Sequence, residues 1–248
     1  PQAVEDYFTF AYIPDPRSIY RDIRKLEAGH LAIVDCSKPK PALEPRAYWD
    51  LNFRLAAPAT EAAVADELIA RLDEAVRLRM IADVPLGAFL SGGVDSSAVV
   101  ALMARAHHEP VTTCSISFSD PQFDESVHAR QVATQYGTRH FADEVGVDDF
   151  GLLDTLVDVY DEPFADSSAI PTYRVCEAAR RHVTVALSGD GGDEGFAGYR
   201  RYRWHMREEA VRGLLPQSLR GPLFGALGAI YPKWDWMPSF MRAKSTLQ

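Results

Sequence analysis

Two short runs hold the residue types that phosphate chemistry needs. The first, Ser91-Gly92-Gly93-Val94-Asp95-Ser96-Ser97, follows an apolar stretch at 84–90 and leads into a fresh apolar period at Ala98, Val99, Val100 and Leu102. That pattern predicts strand, tight loop and helix. Gly92 and Gly93 let an anion approach the main chain, and Ser96 and Ser97 fall where the first N–H groups of a helix have no partner of their own. Anions settle at such ends. Asp95 would repel a phosphate unless a divalent cation lies between them, so the loop predicts a magnesium-bridged pyrophosphate. The second run, Val183-Thr184-Val185-Ala186-Leu187-Ser188-Gly189-Asp190-Gly191-Gly192-Asp193-Glu194, repeats the logic. An apolar strand ends in Ser-Gly, and residues 188–194 then hold three glycines and three carboxylates. Magnesium or nearby arginines would relieve the repulsion among Asp190, Asp193 and Glu194, so one or more of them is a candidate metal ligand. If the two strands are neighbours, Asp95 and Asp193 can share one magnesium.

Each run also has a plain structural reading: a Ser-capped, Gly-rich turn for the first and a solvated acidic turn for the second. The first run lacks both the Gly-x-x-x-x-Gly-Lys-Ser/Thr pattern of kinases and GTPases and the dinucleotide Gly-x-Gly-x-x-Gly. Its full string resembles instead the pyrophosphate loop of the N-type ATP pyrophosphatases, which split ATP into AMP and pyrophosphate to adenylate a substrate. Downstream, Phe196 to Arg203 mixes aromatics with arginines. Arg200, Arg201 and Arg203 could neutralise a triphosphate and Tyr199 could position a reacting group. Stacking rings with arginine can also hold a single-stranded nucleic acid, and an amphipathic helix face would account for the distal residues.

The elements that must position these runs follow from periodicity. Val64, Leu68, Leu72, Val76 and Met80 recur every fourth residue, with Thr60 as N-cap and Glu61 in the first turn, which predicts a core-facing helix. After the first loop come a helix to about His108, a strand at 111–118, a helix around 125–136 and a strand near 139–142. This alternation predicts an α/β fold with a parallel sheet covered by helices on both faces, and ligands beyond the carboxyl ends of the strands. Residues 1–55 differ in texture: an aromatic cluster at Tyr7, Phe8, Phe10 and Tyr12, a break at Pro14-Asp15-Pro16, and a short strand expected at Leu31 to Val34. His107 and His108 are adjacent on a helix, about 100° apart, and have no third ligand nearby. His140 and His182 read as packed side chains.

The 248 residues, 47% hydrophobic, suffice for one substantial core. A net charge of -9 argues against a general nucleic-acid or acidic-membrane surface. Cys36, Cys114 and Cys176 show no metal spacing and fit buried thiols in a cytoplasmic setting. No apolar run approaches the ~20 residues of a spanning helix, and no signal peptide is visible.

A narrower resemblance rests on the second run followed by Gly198-Tyr199, on Tyr160-Asp161-Glu162-Pro163-Phe164-Ala165-Asp166, and on Ala169-Ile170-Pro171-Thr172-Tyr173. Together these are similar to glutamine-hydrolysing asparagine synthetases of the bacterial B type. Tyr12-Ile13-Pro14, Gly29-His30 and Tyr48-Trp49-Asp50 resemble the end of that family's glutaminase domain. The resemblance implies a small β-rich glutaminase remnant at 1–55 and a synthetase domain at 56–248, cut short before the later helices and their catalytic lysine, which Lys233 and Lys244 do not obviously replace. It implies ATP and magnesium, adenylation of the aspartate side chain, and displacement of AMP by ammonia, which glutamine supplies in the full-length parent. Ser91, Gly92, Gly93, Asp95, Ser96 and Ser97 would hold pyrophosphate, with Asp95 and Asp193 on the metal. Phe89, Leu90, Ile116, Ser188 and Gly189 would line the adenosine, and Asp190 and Tyr199 would be catalytic. Gly195 and Ala197 depart from the family, which more often has a bulky apolar residue and a glycine there. The implied partners are small molecules, with no nucleic acid and no membrane, and a homodimer is the assembly to test for. Alternatives are a β-lactam-forming or peptide-modifying relative, a non-catalytic ATP-binding module, and, against the acidic balance, a tRNA-modifying pyrophosphatase.

Overall fold

The computed structural model of the chain describes residues 1–37, 43–53, 59–118, 125–145, 149–214, 216, 220–222 and 225–226. Lys233 and Lys244 lie outside them. The chain forms two compact units, Pro1–Gly189 and Asp190–Gln248.

The first unit opens with a helix, α1 (Gln2–Phe10), where an apolar cluster stands in the sequence. Its buried Asp6 accepts a hydrogen bond from Arg17 Nε at 2.8 Å, and Ile13 beyond it is fully buried. Strands in this segment are minimal: β1 (His30–Leu31) pairs antiparallel with β2 (Arg46–Ala47). The strand expected at Leu31 to Val34 therefore ends almost where it should begin, and Ile33, 70% exposed, has no face to bury. Residues 11–25 are tied to the stretch 161–165. The Ala165 N–H donates to Ala11 O at 2.8 Å, the Ile19 N–H to Glu162 Oε2 at 3.2 Å, and Lys25 pairs with the Glu162 carboxylate.

Helix α2 (Glu61–Arg79) starts on the Thr60 cap, whose hydroxyl accepts the Ala63 N–H at 3.3 Å. Only its C-terminal half faces the core: Val76 is 5% exposed, Val64 53%. A strict four-residue repeat advances 400° per step and so drifts about 40° around the helix each time. The stripe cannot face one core along its whole length.

The sheet consists of β3 (Leu86–Phe89), β4 (Thr112–Phe118), β5 (Arg139–Val145) and β6 (Val185–Leu187), all parallel, in the order β5-β4-β3-β6. On one face α3 (Val94–Ala106) and α4 (Ser126–Gln135) pack Val100, Leu102, Met103, Ala129 and Ala133 against Ala88 and Leu90, with Val76 of α2 behind them. On the other, α6 (Ala169–Arg180) sets Ala179 against Cys114 and Val183. A 3-10 turn (Asp149–Leu152) and α5 (Leu153–Tyr160) form a smaller cluster with α6 through Leu152, Leu156 and Ala169. Helix α3 ends at Ala106, so His107 is already extended and the histidine pair lies past the helix.

One polar seam crosses this core. Thr113 and Ser115 point to the α4 side of β4, both buried, and His140 of β5 joins them, Nδ1 to Thr113 Oγ1 at 3.0 Å and Nε2 to Ser115 Oγ at 3.4 Å. Burial, and secondarily the Arg130 charge, lower the His140 pKa. His182 stacks on Phe141 with ring centres 3.6 Å apart.

Candidate functional site

Between β3 and α3 the chain turns on hydroxyls. The Ser91 N–H donates to Ser96 Oγ at 3.3 Å, the two serine hydroxyls meet at 3.0 Å, and the Gly93 N–H donates to Ser91 Oγ at 3.3 Å. These two serines therefore staple the loop. Gly92 stands at φ +87°, and a Cβ there would lie 2.6 Å from His128 Cβ and 2.7 Å from Ala129 N, so the loop rests directly on α4. Only glycine permits both the backbone angle and the approach.

Helix α3 begins without a side-chain cap. Its first intrahelical bond is Ser97 N–H to Gly93 O at 3.1 Å, which leaves the N–H groups of Val94, Asp95 and Ser96 without intrahelical acceptors. Ser97 Oγ is buried and finds no hydrogen-bond partner among the described residues. An orphaned donor beside open helix amides is what a phosphate oxygen would satisfy.

The second Ser-Gly arrives at the same place. β6 pairs with β3 in the register Leu86↔Val185, Gly87↔Ala186, Ala88↔Leu187. Past its end the Gly189 backbone packs on the head of α3, where an added Cβ would stand 2.6 Å from Ser96 N and 2.8 Å from Asp95 C. In the order β5-β4-β3-β6 the chain runs outward one way through β4 and β5 and returns on the other side of β3 for β6. The two loops thus flank a topological switch point, the usual ligand crevice of such sheets. Ile116 lies at this end of the sheet, half-buried and two residues beyond Cys114, the partner of Phe89.

Side chains of the other adenosine candidates are placed less directly. Leu90 is 1% exposed inside the α3–α4 core, so only its backbone could meet a ligand, and Phe89 points to the opposite face beside Cys114 and Val183. Ser188 is exposed. Asp95 is half-buried in the first turn of α3. Among the described residues no group of three or more His, Cys, Asp or Glu side chains could hold a metal ion. A cation at Asp95 would also draw ligands from phosphate and water, the habit of magnesium, and the hard carboxylate oxygen suits it.

The second unit carries Asp190, Asp193 and Tyr199. Gly191 turns the chain at φ +89° into the short α7 (Gly192–Phe196), and Ala197, at φ +56°, ends it. Gly198 lies so close over the Asp193 carboxylate that a Cβ there would overlap it, and its N–H donates to Asp193 O at 3.0 Å. Asp190 is exposed. The Tyr199 hydroxyl donates to Glu194 Oε1 at 2.6 Å. That bond, with the Glu194 backbone and the Arg201 charge, lowers the Glu194 pKa, and the same bond raises that of Tyr199. Helix α8 (Arg200–Gly213) follows. Sequence reasoning treated Glu194 and Tyr199 separately. Their five-residue spacing fits no helical neighbour rule, because the left-handed turn at Ala197 lies between them.

The sequence profile of the asparagine synthase family matches residues 67–246, which include both Ser-Gly loops and the Glu194–Tyr199 pair. The chain belongs to the asparagine synthase family. Within that family, it is 41% identical over 220 residues to a protein of Methanocaldococcus jannaschii provisionally named asparagine synthetase (glutamine-hydrolyzing) 2, covering 88% of this chain and 42% of that protein. It is 36% identical over 250 residues to a protein of Mycobacterium bovis with a similar provisional name, covering 99% of this chain and 36% of the other. With asparagine synthetase (glutamine-hydrolyzing) 1 of Bacillus subtilis it shares 31% identity over 248 residues, 100% of this chain and 37% of that one. The chain thus spans about two fifths of the length of these curated relatives. No helix among the described residues is long and apolar enough to cross a membrane.

Proposed function

We propose that this chain is the ATP-binding part of an asparagine synthetase. The observation that carries the reading is the meeting of the two Ser-Gly loops at the switch point, where the Gly189 backbone abuts the open head of α3. In this account the amides of residues 94–96, the glycines Gly92 and Gly93 and the Ser97 hydroxyl receive the pyrophosphate portion of ATP, while Ser91 and Ser96 hold the loop in shape. Backbone groups of Phe89, Leu90, Ser188 and Gly189, with the Ile116 side chain, border the adenosine. Asp95 and Asp193 would hold magnesium, which when bound neutralises charge on the departing pyrophosphate.

The reaction needs little covalent help from the protein. An oxygen of the aspartate side-chain carboxylate attacks the α-phosphorus, the bond to the β-phosphate oxygen breaks, and pyrophosphate leaves. Ammonia then attacks the acyl carbon, loses a proton, and AMP departs with the former carboxylate oxygen. A carboxylate is a poor electrophile, and adenylation gives it a leaving group. Donors aimed at the phosphates stabilise the charge that develops there. Asp190 and Tyr199 would be catalytic in this reading.

The acidic balance and the small-molecule chemistry suit a cytoplasmic enzyme, and a homodimer is the assembly we propose. In the full-length protein glutamine would be the source of ammonia, and residues 1–55 would end the glutaminase domain. The test is titration of ATP with and without magnesium. Asp95→Asn and Asp193→Asn should each abolish most of the magnesium-dependent gain in affinity, and unchanged binding in both would sink the shared-metal account.

A further inference from the structure

The resemblance makes Tyr199 a catalytic candidate, yet its hydroxyl is already committed to Glu194 at 2.6 Å. Its ring face is occupied as well. The Arg201 guanidinium carbon lies 4.2 Å from the Tyr199 centroid and 5.8 Å from that of Tyr202, and the two rings stand 6.0 Å apart. Arg201 is exposed, and no hydrogen bond or close ion pair with the described residues uses its N–H groups. A guanidinium held over an aromatic ring by its charge still has N–H donors to offer, and these match a phosphate or carboxylate. Its charge acts on Glu194 at a distance, without a hydrogen bond to it. Arg200, Arg201 and Arg203 fill the first turn of α8, which holds no acidic residue, although a helix start disfavours positive charge.

We propose that Tyr199 is a positioning residue. Glu194 fixes its hydroxyl, its ring holds Arg201, and Arg201 binds an anionic oxygen of the substrate pair, a phosphate or a carboxylate. The inference rests on the ATP-dependent reading above and changes the role of Tyr199 within it. Gly198, packed on Asp193, joins this assembly to the candidate metal ligand, so a shift of the tyrosine would be felt along the whole turn. Order in the guanidinium before binding reduces what the substrate must supply to immobilise it.

The experiment is calorimetric titration of the full-length protein with three probes, magnesium-ATP, inorganic pyrophosphate and L-aspartate. Arg201→Gln should weaken at least one of them about tenfold or more. Loss for ATP and pyrophosphate assigns the phosphate, and loss for aspartate alone assigns the carboxylate. Tyr199→Leu should weaken the same probe, the double variant should be no weaker than Arg201→Gln, and Arg201→Lys should recover part of the affinity. Because Arg201 is exposed on a helix, its glutamine variant is expected to keep the thermal transition of the parent, which is measured alongside. Wild-type affinity for all three probes in Arg201→Gln overturns the inference, as do losses in the two single variants that multiply in the double. A parent protein that binds none of the probes overturns the ATP-dependent reading itself.

Discussion

Ser97 Oγ is a buried hydroxyl without a partner among the described residues, and such a group costs about 1–3 kcal/mol where its bond is left unmade. That cost is reasonable only if a ligand recovers it. Ser97→Ala should leave the free protein as stable as before, or about 1 kcal/mol more stable in urea unfolding, while ATP affinity falls about tenfold. A purely structural serine would show the opposite pairing. Gly189→Ala tests the other side of the crevice. Its Cβ would press on Ser96 N and the Asp95 backbone, neither of which can yield cheaply, so we expect about 1–3 kcal/mol of destabilisation together with loss of ATP binding. Residue types made the loops legible in the sequence, since glycine, serine and aspartate beyond an apolar strand have few uses. Which hydroxyl was free was not legible: Ser91 and Ser96 bond each other, and only packing reveals that Ser97 is left over.

At the scale of elements, the loop is held from two directions, by α4 under Gly92 and by Gly189 beside α3. Helix α4 also covers the polar seam of Thr113, Ser115 and His140, and that seam should make stability depend on pH. Burial lowers the His140 pKa in the folded state from its ordinary 6.5, so the unfolded chain binds the proton more readily. The contribution is therefore fully present above pH 6.5 and is lost as pH falls from there through the folded pKa. Urea midpoints measured from pH 8 downward should decline over that window, and His140→Gln should flatten the decline. The strands of the sheet and helices α2 to α4 were legible because strand-length and helix-length apolar periods alternate, whereas α5 and α6 were read only as motifs. The α1 helix was not, because its aromatics cluster without a helical period and its one buried residue, Asp6, is charged. Helix α2 misled for a related reason: its four-residue repeat looks like a buried stripe, and only the half that meets α3 is one.

For the molecule as a whole, the chain belongs to the asparagine synthase family and spans about two fifths of its curated relatives' length. The sequence motif Tyr160 to Asp166 shows how far a single chain can be read. It marks the family, and in the structure part of it, Glu162 and Ala165, receives the N-terminal segment through hydrogen bonds that join residues more than a hundred positions apart. No local pattern could have announced that partner. The central claim is adenylation of a carboxylate, and one measurement addresses it directly. The protein in its full length is supplied with ATP, magnesium, ammonia and aspartate carrying oxygen-18 in the side-chain carboxylate, and the products are analysed by mass spectrometry. The account predicts asparagine, unlabelled pyrophosphate and AMP bearing one labelled oxygen. Unlabelled AMP, or ADP with inorganic phosphate in its place, would contradict it.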